Sequence, residues 1–345
     1  MTCRVIRGTQ WRLTVADPSD VGECRRSVKR LAEAHGFDDT KVGRICIIAT
    51  ELANNIVRHA GTGELLIQAL DDGIMPELEI IAIDRGPGMT DVDRCLQDGY
   101  STTGTPGTGL GAVSRLSTTF DLFSTPDQGT VVLSRTAFSG VPPGSSVAAS
   151  KSSLEVGAIC IAVAGEIECG DTWRVAHGDG TIGIFIADGL GHGPLAATAS
   201  GAAATAFCGR PFDEPSKAMQ TMHLAVAQTR GAAAACAVLH VPELKVTYAG
   251  VGNICGRVLG PDRSRGMVSH NGTLGTQLLR TQQFEYDWQR DGRIVMHSDG
   301  LSAKWALADY PGLYRRHCAT VAAVLYRDYG RRRDDATVLI VNYHP

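Results

Sequence analysis

Apolar and polar residues in the first part of the chain follow spacings that predict both helices and strands. Between Asp39 and Ala60, apolar residues recur at helical spacing, as expected for a helix with one buried face. An earlier helix is predicted to be capped by Ser19 or Asp20 and to end at Gly36. Short apolar runs predict the other elements, which are strands near 64–70, 78–83, 120–123 and 130–134 and a helix at 110–116.

The second part of the chain has strand-like apolar runs on both sides of two alanine-rich helical stretches. The helices are predicted near 194–207 and 215–228. The strands are predicted near 154–163, 172–176, 182–187, 234–240, 245–248, 293–297 and 336–341. Strands that flank a pair of helices in this way are typical of two sheets covered by helices.

A segment rich in Gly, Pro and Ser, at residues 139–152, separates these two parts. It has few large apolar residues, which is typical of a linker. The chain of 345 residues is long enough for two domains of ordinary size, and its halves do not repeat each other. We therefore predict an α/β (α+β) protein with two domains, at 1–138 and 153–345.

Composition is typical of a globular protein and argues against several kinds of partner. Hydrophobic residues make up 43% and charged residues 20%, which is too apolar for a disordered chain. The net charge of -3 gives no basic field that would favour nucleic acid or a membrane surface. The 10 cysteines form no C-x-x-C pair, which argues against a zinc or haem site. No apolar run approaches the ~20 residues that span a bilayer, so we expect a cytoplasmic protein with reduced thiols.

Three elements of the first domain carry residues that suit a nucleotide. Glu51 and Asn55 lie four positions apart on the long predicted helix, so both project from one face. A carboxylate there can deprotonate a hydroxyl, and an amide oxygen can ligate Mg²⁺. Asp84 ends a predicted strand and can accept a hydrogen bond from an exocyclic amine such as that of adenine. Gly86 and Gly88 follow it and let the backbone approach a ligand closely.

The third element is a glycine-rich segment that opens the predicted helix 110–116, with Gly107, Gly109 and Gly111. Backbone N–H groups at a helix N-terminus bind phosphate well. A Rossmann fold is disfavoured because no strand directly precedes this segment. Each element alone is also typical of a solvated polar face or a turn. Their order along the chain is specific for an ATP site.

In these residues the first domain resembles the Bergerat-type ATP-binding α/β sandwich of gyrase, histidine kinases and anti-sigma-factor serine kinases. The residues most similar to the RsbT-type switch kinase of bacterial stressosomes are 49–61 and 114–116. The resemblance implies that Glu51 is the catalytic base and Asn55 the magnesium ligand. It implies that Asp84 and Thr130 hold adenine. It also implies that the nucleotide pocket is lined by Gly86, Gly88, Gly107, Gly109 and Gly111.

Aspartates in the second domain end or follow predicted strands, at Asp171, Asp188, Asp299 and Asp334. An Asp-Gly pair alone is a common turn, but the recurrence of acidic residues at strand ends predicts more than turns. Clustered carboxylates repel each other unless divalent cations neutralise them. Two cations about 3.5–4 Å apart can activate a water and clamp a phosphoryl group.

The second domain resembles the metal-dependent PPM-type serine/threonine phosphatases, and among them the bacterial SpoIIE and RsbX branch, which form an α-β-β-α sandwich. The matching stretches are 170–173, 186–193, 297–301 and 334–338. The resemblance implies two Mn²⁺ or Mg²⁺ ions, with Asp188 as the bridging ligand and Gly189 as a carbonyl ligand. Asp299 and Asp334 would hold the second ion, and Asp171 would act through metal-bound water.

Three positions of the second domain have no assigned role at this point. The phosphatase family often has His directly after the Asp-Gly pair, where it can protonate the leaving oxygen. Here Leu190 takes that position and His192 comes two residues later, so the leaving-group acid is unassigned. Asn253 either approaches the site or forms a strand-end turn, and Asp335 is a weaker candidate ligand than Asp334.

Together the two resemblances imply a bifunctional regulator. The first domain would phosphorylate Ser or Thr on a partner protein with ATP and Mg²⁺, and the second would hydrolyse that phosphate on the same or a related partner. By resemblance, the partner is a STAS-domain antagonist or scaffold of a bacterial partner-switching or stress-signalling pathway. In the alternative hypothesis, the ATP half only binds nucleotide and partner, and the phosphatase is the sole enzyme.

Overall fold

The computed structural model describes residues 3–73, 76–96, 109–138, 154–276 and 281–344. The chain divides into two compact units. The N-terminal unit comprises 8–151 and 315–323, and the C-terminal unit comprises 1–7, 152–314 and 324–345. The domain limits predicted from the linker, at 1–138 and 153–345, stay a prediction, and the linker itself lies outside the described residues.

Helices and antiparallel strands make up the N-terminal unit. In chain order the elements are β1 (Arg4–Val15, which belongs to this unit from residue 8 on), α1 (Pro18–Ala34), α2 (Asp39–Asn55), a π-helical turn (Ile56–Ala60), β2 (Gly63–Asp71), β3 (Glu77–Asp84), α3 (Val92–Cys95), α4 (Gly109–Leu116), β4 (Thr119–Ser124) and β5 (Thr130–Ala137). The sheet order is β1-β2-β3-β5-β4. The helices α1 and α2 pack against each other and against this sheet, so the apolar face predicted for α2 lies in the core.

The N-cap of the first helix lies two residues before Ser19 and three before Asp20, the predicted caps. Asp17 is the N-cap, and its side chain accepts a hydrogen bond from the Ser19 amide at 2.9 Å. The Asp17 amide donates in turn to the Asp20 carboxylate at 2.9 Å, which closes a capping box. The predicted caps are therefore wrong by a short distance, because Pro18 provides a favourable first helical residue behind Asp17.

The C-terminal unit contains two antiparallel sheets and their covering helices. Its elements are β6 (Leu154–Ile161), β7 (Asp171–Gly178), β8 (Thr181–Gly189), α5 (Pro194–Gly209), α6 (Pro215–Ala225), β9 (Ala232–His240), β10 (Lys245–Val251), β11 (Cys255–Leu259), β12 (Ser264–Met267), β13 (Ser269–His270), β14 (Phe284–Asp287), β15 (Arg293–His297), α7 (Cys318–Tyr329, from residue 324 on) and β16 (Ala336–Tyr343).

One sheet of this unit has the order β13-β10-β9-β8-β7, with β14 on β10 and residues Arg4–Ile6 on β7. The other has the order β12-β11-β15-β16-β6. Helices α5 and α6 pack on the first sheet, and β7 contacts β6 and β16 of the second. The fold class is therefore α/β with two domains, as the sequence predicts.

Register places the acidic residues at one end of these strands. The hairpin β7–β8 pairs Asp171 with Asp188. In the other sheet, β15 pairs His297 with Val338 of β16. Asp299 follows β15 and Asp334 precedes β16, so both lie at the same edge of this sheet. The topology thus gathers residues that are far apart in sequence.

Candidate functional site

The C-terminal part of α2 carries both polar residues of the predicted ATP site. Glu51 and Asn55 are half-buried on this helix, and Leu52 between them is buried in the core. The Nδ2 atom of Asn55 is buried and has no hydrogen-bond partner among the described residues. A buried amide without a partner costs about 1–3 kcal/mol, so this position favours a polar ligand.

The helix changes its hydrogen bonding directly after Asn55. Ile56–Ala60 form a π-helical turn, and the Gly61 amide donates to the first carbonyl of that turn at 2.9 Å. Such turns occur frequently at functional sites. The predicted continuous helix through residue 60 is therefore wrong in its last turn. The turn brings its final alanine against Gly86, where an added Cβ would lie 2.8 Å from the alanine Cβ.

Asp84 and Thr130, the predicted adenine-binding pair, lie together at the ends of neighbouring strands. The Asp84 Oδ1 accepts hydrogen bonds from the Gly86 amide at 2.8 Å and the Thr130 amide at 3.2 Å. The Thr130 hydroxyl pairs with the Ser124 hydroxyl at 2.9 Å. One carboxylate therefore orders both the glycine turn and the start of β5.

Gly88 is required by the backbone geometry of the turn itself. Its φ of 68° lies in the left-handed region, and an added Cβ would collide with the Thr125 carbonyl. The turn that follows Asp84 is therefore fixed by close backbone packing.

The start of α4 lies against the polar face of α2. A Cβ added at Gly109 would lie 3.0 Å from Glu51 Oε2 and 3.6 Å from Asn55 Oδ1. Gly111, two residues further along the helix, is buried. The predicted base, the predicted amide ligand and a helix N-terminus are thus brought together. Gly107 lies outside the described residues.

A methyl group added at Gly109 should weaken ATP binding. In Gly109→Ala, the new Cβ would crowd the Glu51 carboxylate at 3.0 Å, so the carboxylate or the helix start must shift. We expect the ATP affinity measured by calorimetry to fall about tenfold, which corresponds to about 1.4 kcal/mol. Gly43→Ala in α2 is the matched control, because nothing lies within 4 Å of its added Cβ. An unchanged affinity in Gly109→Ala would contradict a nucleotide site here.

The second site begins with two carboxylates placed opposite each other on β7 and β8. Burial raises the pKa of Asp188 to about 9, helped by the charges of neighbouring aspartates, chiefly Asp171 and Asp299 and then Asp334 and Asp335. Burial likewise raises the pKa of Asp171 to about 7, although a hydrogen bond from Ser298 opposes the rise. Negative charge is therefore concentrated at this edge beyond what the protein alone neutralises.

Asp171 is positioned by Ser298, a residue that sequence reasoning missed. The Ser298 hydroxyl donates to Asp171 Oδ2 at 2.7 Å, and the Thr337 amide donates to the same hydroxyl at 3.0 Å. The other oxygen of Asp171, Oδ1, is buried and has no hydrogen-bond partner among the described residues. A signal was present in the sequence, because Ser298 directly precedes Asp299 within the stretch 297–301.

The structure separates the roles of Asp334 and Asp335. Asp334 is exposed at the site, whereas Asp335 is buried and accepts bonds from the Val163 and Gly170 amides, both at 2.7 Å. Asp335 therefore holds the loop that leads into β7. Asn253, which the sequence left open, donates to Asp299 Oδ2 at 2.7 Å and thus approaches the site.

Gly189 ends β8 where only glycine fits, because an added Cβ would collide with the Ala196 carbonyl. Its amide donates to Gly170 O at 3.1 Å, which ties it to the start of β7. Leu190 follows with 43% exposure. His192 lies two residues after Leu190 in the same loop and contacts Glu166.

The residues at this edge fit divalent cations of the magnesium type. They offer hard oxygen donors, an unpaired buried oxygen on Asp171 and mutual repulsion around Asp188. Within the described ranges, no three His, Cys, Asp or Glu side chains are grouped closely enough to hold one ion together. Mg²⁺ is commonly held by one or two carboxylates with waters completing its shell, which this arrangement suits.

Sequence reasoning also missed Glu166, for which no local signal exists. The residue lies in the loop between β6 and β7 and meets His192 only through the fold.

In the part of the chain that the structure describes, no helix has the length and apolar character to cross a membrane.

Comparison with known proteins gives a separate match for each half. Residues 14–135 match the model of a family described as histidine kinase-like ATPase domain, and residues 178–344 match that of stage II sporulation protein E (SpoIIE). The serine/threonine-protein kinase RsbT of Bacillus subtilis (strain 168) is 37% identical over 113 residues, which are 33% of this chain and 85% of that protein.

A solved structure described as "The bacterial stressosome: a modular system that has been adapted to control secondary messenger signaling" is 29% identical, with a TM-score of 0.51. The alignment covers 55% of this chain and 99% of that one. The first half is thus similar to a serine/threonine-protein kinase, and the second matches the SpoIIE family.

Proposed function

We propose that this chain both phosphorylates and dephosphorylates a partner protein. The chain belongs to the RsbT family through its N-terminal half and carries a SpoIIE-type PPM phosphatase domain in its C-terminal half. The observation that supports the proposal is that the described residues of each half include polar side chains suited to its reaction. The N-terminal set is gathered around Glu51, and the C-terminal set around Asp188.

In the N-terminal half, the chemistry proposed is transfer of the γ-phosphate of ATP to a seryl or threonyl hydroxyl. Asp84 accepts a hydrogen bond from the adenine amine, beside Thr130, and the start of α4 binds phosphate. Glu51 accepts the proton of the attacking hydroxyl. Asn55 would ligate Mg²⁺, which when bound neutralises charge on the phosphates.

In the C-terminal half, the chemistry proposed is hydrolysis of phosphoserine or phosphothreonine. Asp188, Gly189, Asp299 and Asp334 would hold two Mn²⁺ or Mg²⁺ ions, which when bound supply an acidified water and charge neutralisation. Asp171 lies on the strand opposite Asp188 and is held by the Ser298 hydroxyl, and it orients a water molecule. Asn253 fixes the Asp299 carboxylate.

The partner proposed is a STAS-domain antagonist or scaffold in a bacterial partner-switching or stress-signalling pathway. The likeness to RsbT and to a stressosome structure supports this choice. Two opposite activities in one chain would waste ATP if both ran at once. We therefore propose that partner binding or the linker favours one activity at a time, within the cytoplasm.

The test uses the Asp188→Asn variant, in which the phosphatase cannot remove the product. Incubated with labelled ATP, Mg²⁺ and a candidate STAS protein, it should transfer label to serine or threonine. The phosphorylated residue is located by mass spectrometry. If ATP binds but no candidate is labelled, the first half is a nucleotide-sensing binding module and the kinase proposal is wrong.

A further inference from the structure

Two cysteines of the C-terminal unit lie side by side next to the start of β7. The Sγ atoms of Cys160 and Cys169 are 3.7 Å apart, and the residues are nine positions apart in the chain. Cys160 is buried near the end of β6, and Cys169 is half-buried in the loop that leads into β7. Both are free thiols. The sulfurs of a disulfide lie about 2.05 Å apart, so side-chain rotation and a small shift of the loop would join this pair.

The pair contacts the backbone of the phosphatase site. Cys160 Sγ lies 3.6 Å from the Asp171 carbonyl oxygen, within reach of a weak S–H hydrogen bond. Cys169 comes two residues before Asp171 in the chain. A covalent bond between the sulfurs would therefore remove one contact of Asp171 and pull on the segment that leads into it.

The segment between the thiols and the site has little room to move. The Gly170 amide donates to Asp335 Oδ2 at 2.7 Å, and the Gly170 carbonyl accepts from the Gly189 amide at 3.1 Å. A Cβ added at Gly170 would lie 2.7 Å from both Asp335 Oδ2 and the Ala196 Cβ. Because this residue is closely packed on two sides, a displacement toward β6 is passed on to Gly189 and to the start of β7.

The unequal exposure of the two thiols suits a stepwise oxidation. Cys169 is half-buried and meets the oxidant first, whereas Cys160 is buried directly beside it. A hydrogen bond with Cys160, together with burial, raises the pKa of Cys169, so peroxide reacts with it slowly. The pair therefore suits a response to sustained oxidation. Disulfides of cytosolic proteins are usually transient and often sense redox conditions.

We propose that peroxide joins Cys160 and Cys169 in a reversible disulfide that switches off the phosphatase site. The proposal rests on the phosphatase function proposed above. The Cys169 sulfur attacks one oxygen of hydrogen peroxide, the O–O bond breaks, and the departing hydroxide takes the thiol proton to form water. The Cys160 sulfur then displaces the hydroxyl group of the resulting sulfenic acid, which leaves as a second water with the Cys160 proton. Two thiols are thus oxidised to a disulfide while one peroxide is reduced to two waters, and a dithiol reverses the bond by exchange.

Oxidation would shift the balance between the two proposed activities. Both thiols belong to the C-terminal unit, so their disulfide acts on the removal of phosphate and leaves its addition intact. The partner protein would then accumulate in its phosphorylated form while peroxide persists. The disulfide is thus a chemical signal that favours one activity at a time.

Peptide mapping and a phosphatase assay on the same samples test the proposal. The full chain is treated with hydrogen peroxide, the peroxide is removed with catalase, and Mn²⁺ is added afterwards. We expect peptides joined through Cys160 and Cys169 in mass spectra recorded without reductant. The kcat/KM on a phosphoserine peptide should fall about tenfold or more, because small displacements of catalytic groups are costly. Dithiothreitol should restore the rate, and the ATP affinity measured by calorimetry should not change.

Substitution of either thiol should protect the enzyme. Cys169→Ser and Cys160→Ala each remove one partner, so their activity should resist peroxide, and the half-buried position of Cys169 keeps the test valid if Cys160→Ala folds poorly. Cys255→Ser is the matched control, because Cys255 is a half-buried thiol of the same unit on β11. It should lose and regain activity as the wild type does.

Two results would overturn the proposal. One is the absence of the joined peptides, or a wild type that keeps its activity once they have formed. The other is an equal loss of activity in the wild type and Cys169→Ser, since damage elsewhere would then be the cause. A reduced wild type that hydrolyses no phosphoserine peptide with Mn²⁺ would instead contradict the phosphatase function, and with it the switch, while peptide mapping still shows whether the thiols join.

Discussion

Asp188→Asn is expected to abolish phosphatase activity and at the same time to stabilise the metal-free protein. Asp188 is a proposed ligand of the divalent ions, and its replacement would remove the charge stabilisation that those ions would supply. We expect a fall in kcat/KM of about 1,000-fold or more. The stabilisation follows because burial and four neighbouring aspartates raise the pKa of Asp188 to about 9, so the charged form is disfavoured in the fold. Asparagine has similar volume and no charge.

Calorimetry near neutral pH checks the second effect. The metal-free variant should melt about 3 °C or more above the metal-free wild type, since 1 kcal/mol shifts Tm by about 2–4 °C in a domain of this size. Adding Mn²⁺ should raise the Tm of the wild type far more than that of the variant. Asp179→Asn, at the other end of the same hairpin, is the control and should change neither activity nor the response to Mn²⁺. A variant that melts below the wild type would contradict a repulsive cluster.

Glu51→Gln is expected to remove phosphoryl transfer while ATP still binds. The amide keeps the size of the side chain but cannot accept the proton of the attacking hydroxyl. General base catalysis contributes about 10²–10⁴-fold, so the rate of labelling of the partner should fall by that amount. The ATP affinity measured by calorimetry should change less than about threefold, because the proposed adenine contacts lie at Asp84 and Thr130.

Glu33→Gln serves as the control for Glu51→Gln, since Glu33 is an exposed glutamate on α1 that pairs with Lys29 at 3.6 Å. Both variants are prepared with Asp188→Asn so that the product persists. Transfer that continues unchanged in Glu51→Gln would show that another group is the base. Loss of ATP binding together with transfer would assign Glu51 to the binding of nucleotide.

The polar pair on α2 and the aspartates of β7 and β8 could be predicted because the spacing of residues along the sequence determines where they lie. Helical spacing alone places Glu51 and Asn55 together, and the Asp-Gly ending of a strand marks Asp188. The contact of Gly109 with that face depends on how α4 packs, which the sequence suggested only through resemblance. Glu166 and Ser298 contact partners 26 and 127 residues away, respectively, so these contacts come from the fold, and only Ser298 has a sequence signal, its position directly before Asp299.

Missed elements have equally specific causes. α7 is buried on nearly every side, so its sequence lacks the polar face that marks a helix. β1 alternates polar and apolar residues only from Gln10 to Val15, and only two of its 12 residues are buried, so its strand signal is short. The π-helical turn after Asn55 uses ordinary helix-compatible residues, and nothing in their spacing indicates the extra residue in the turn.

The central claim is that one chain both adds and removes the same phosphate, and one measurement tests it directly. A STAS-domain protein phosphorylated by the Asp188→Asn variant is purified and given to the Glu51→Gln variant with Mn²⁺. Mass spectrometry then follows the occupancy of the modified residue. The account predicts that the phosphate is lost from that residue and appears as inorganic phosphate. Phosphate that stays in place, under conditions in which the same variant hydrolyses a phosphoserine peptide, would contradict it.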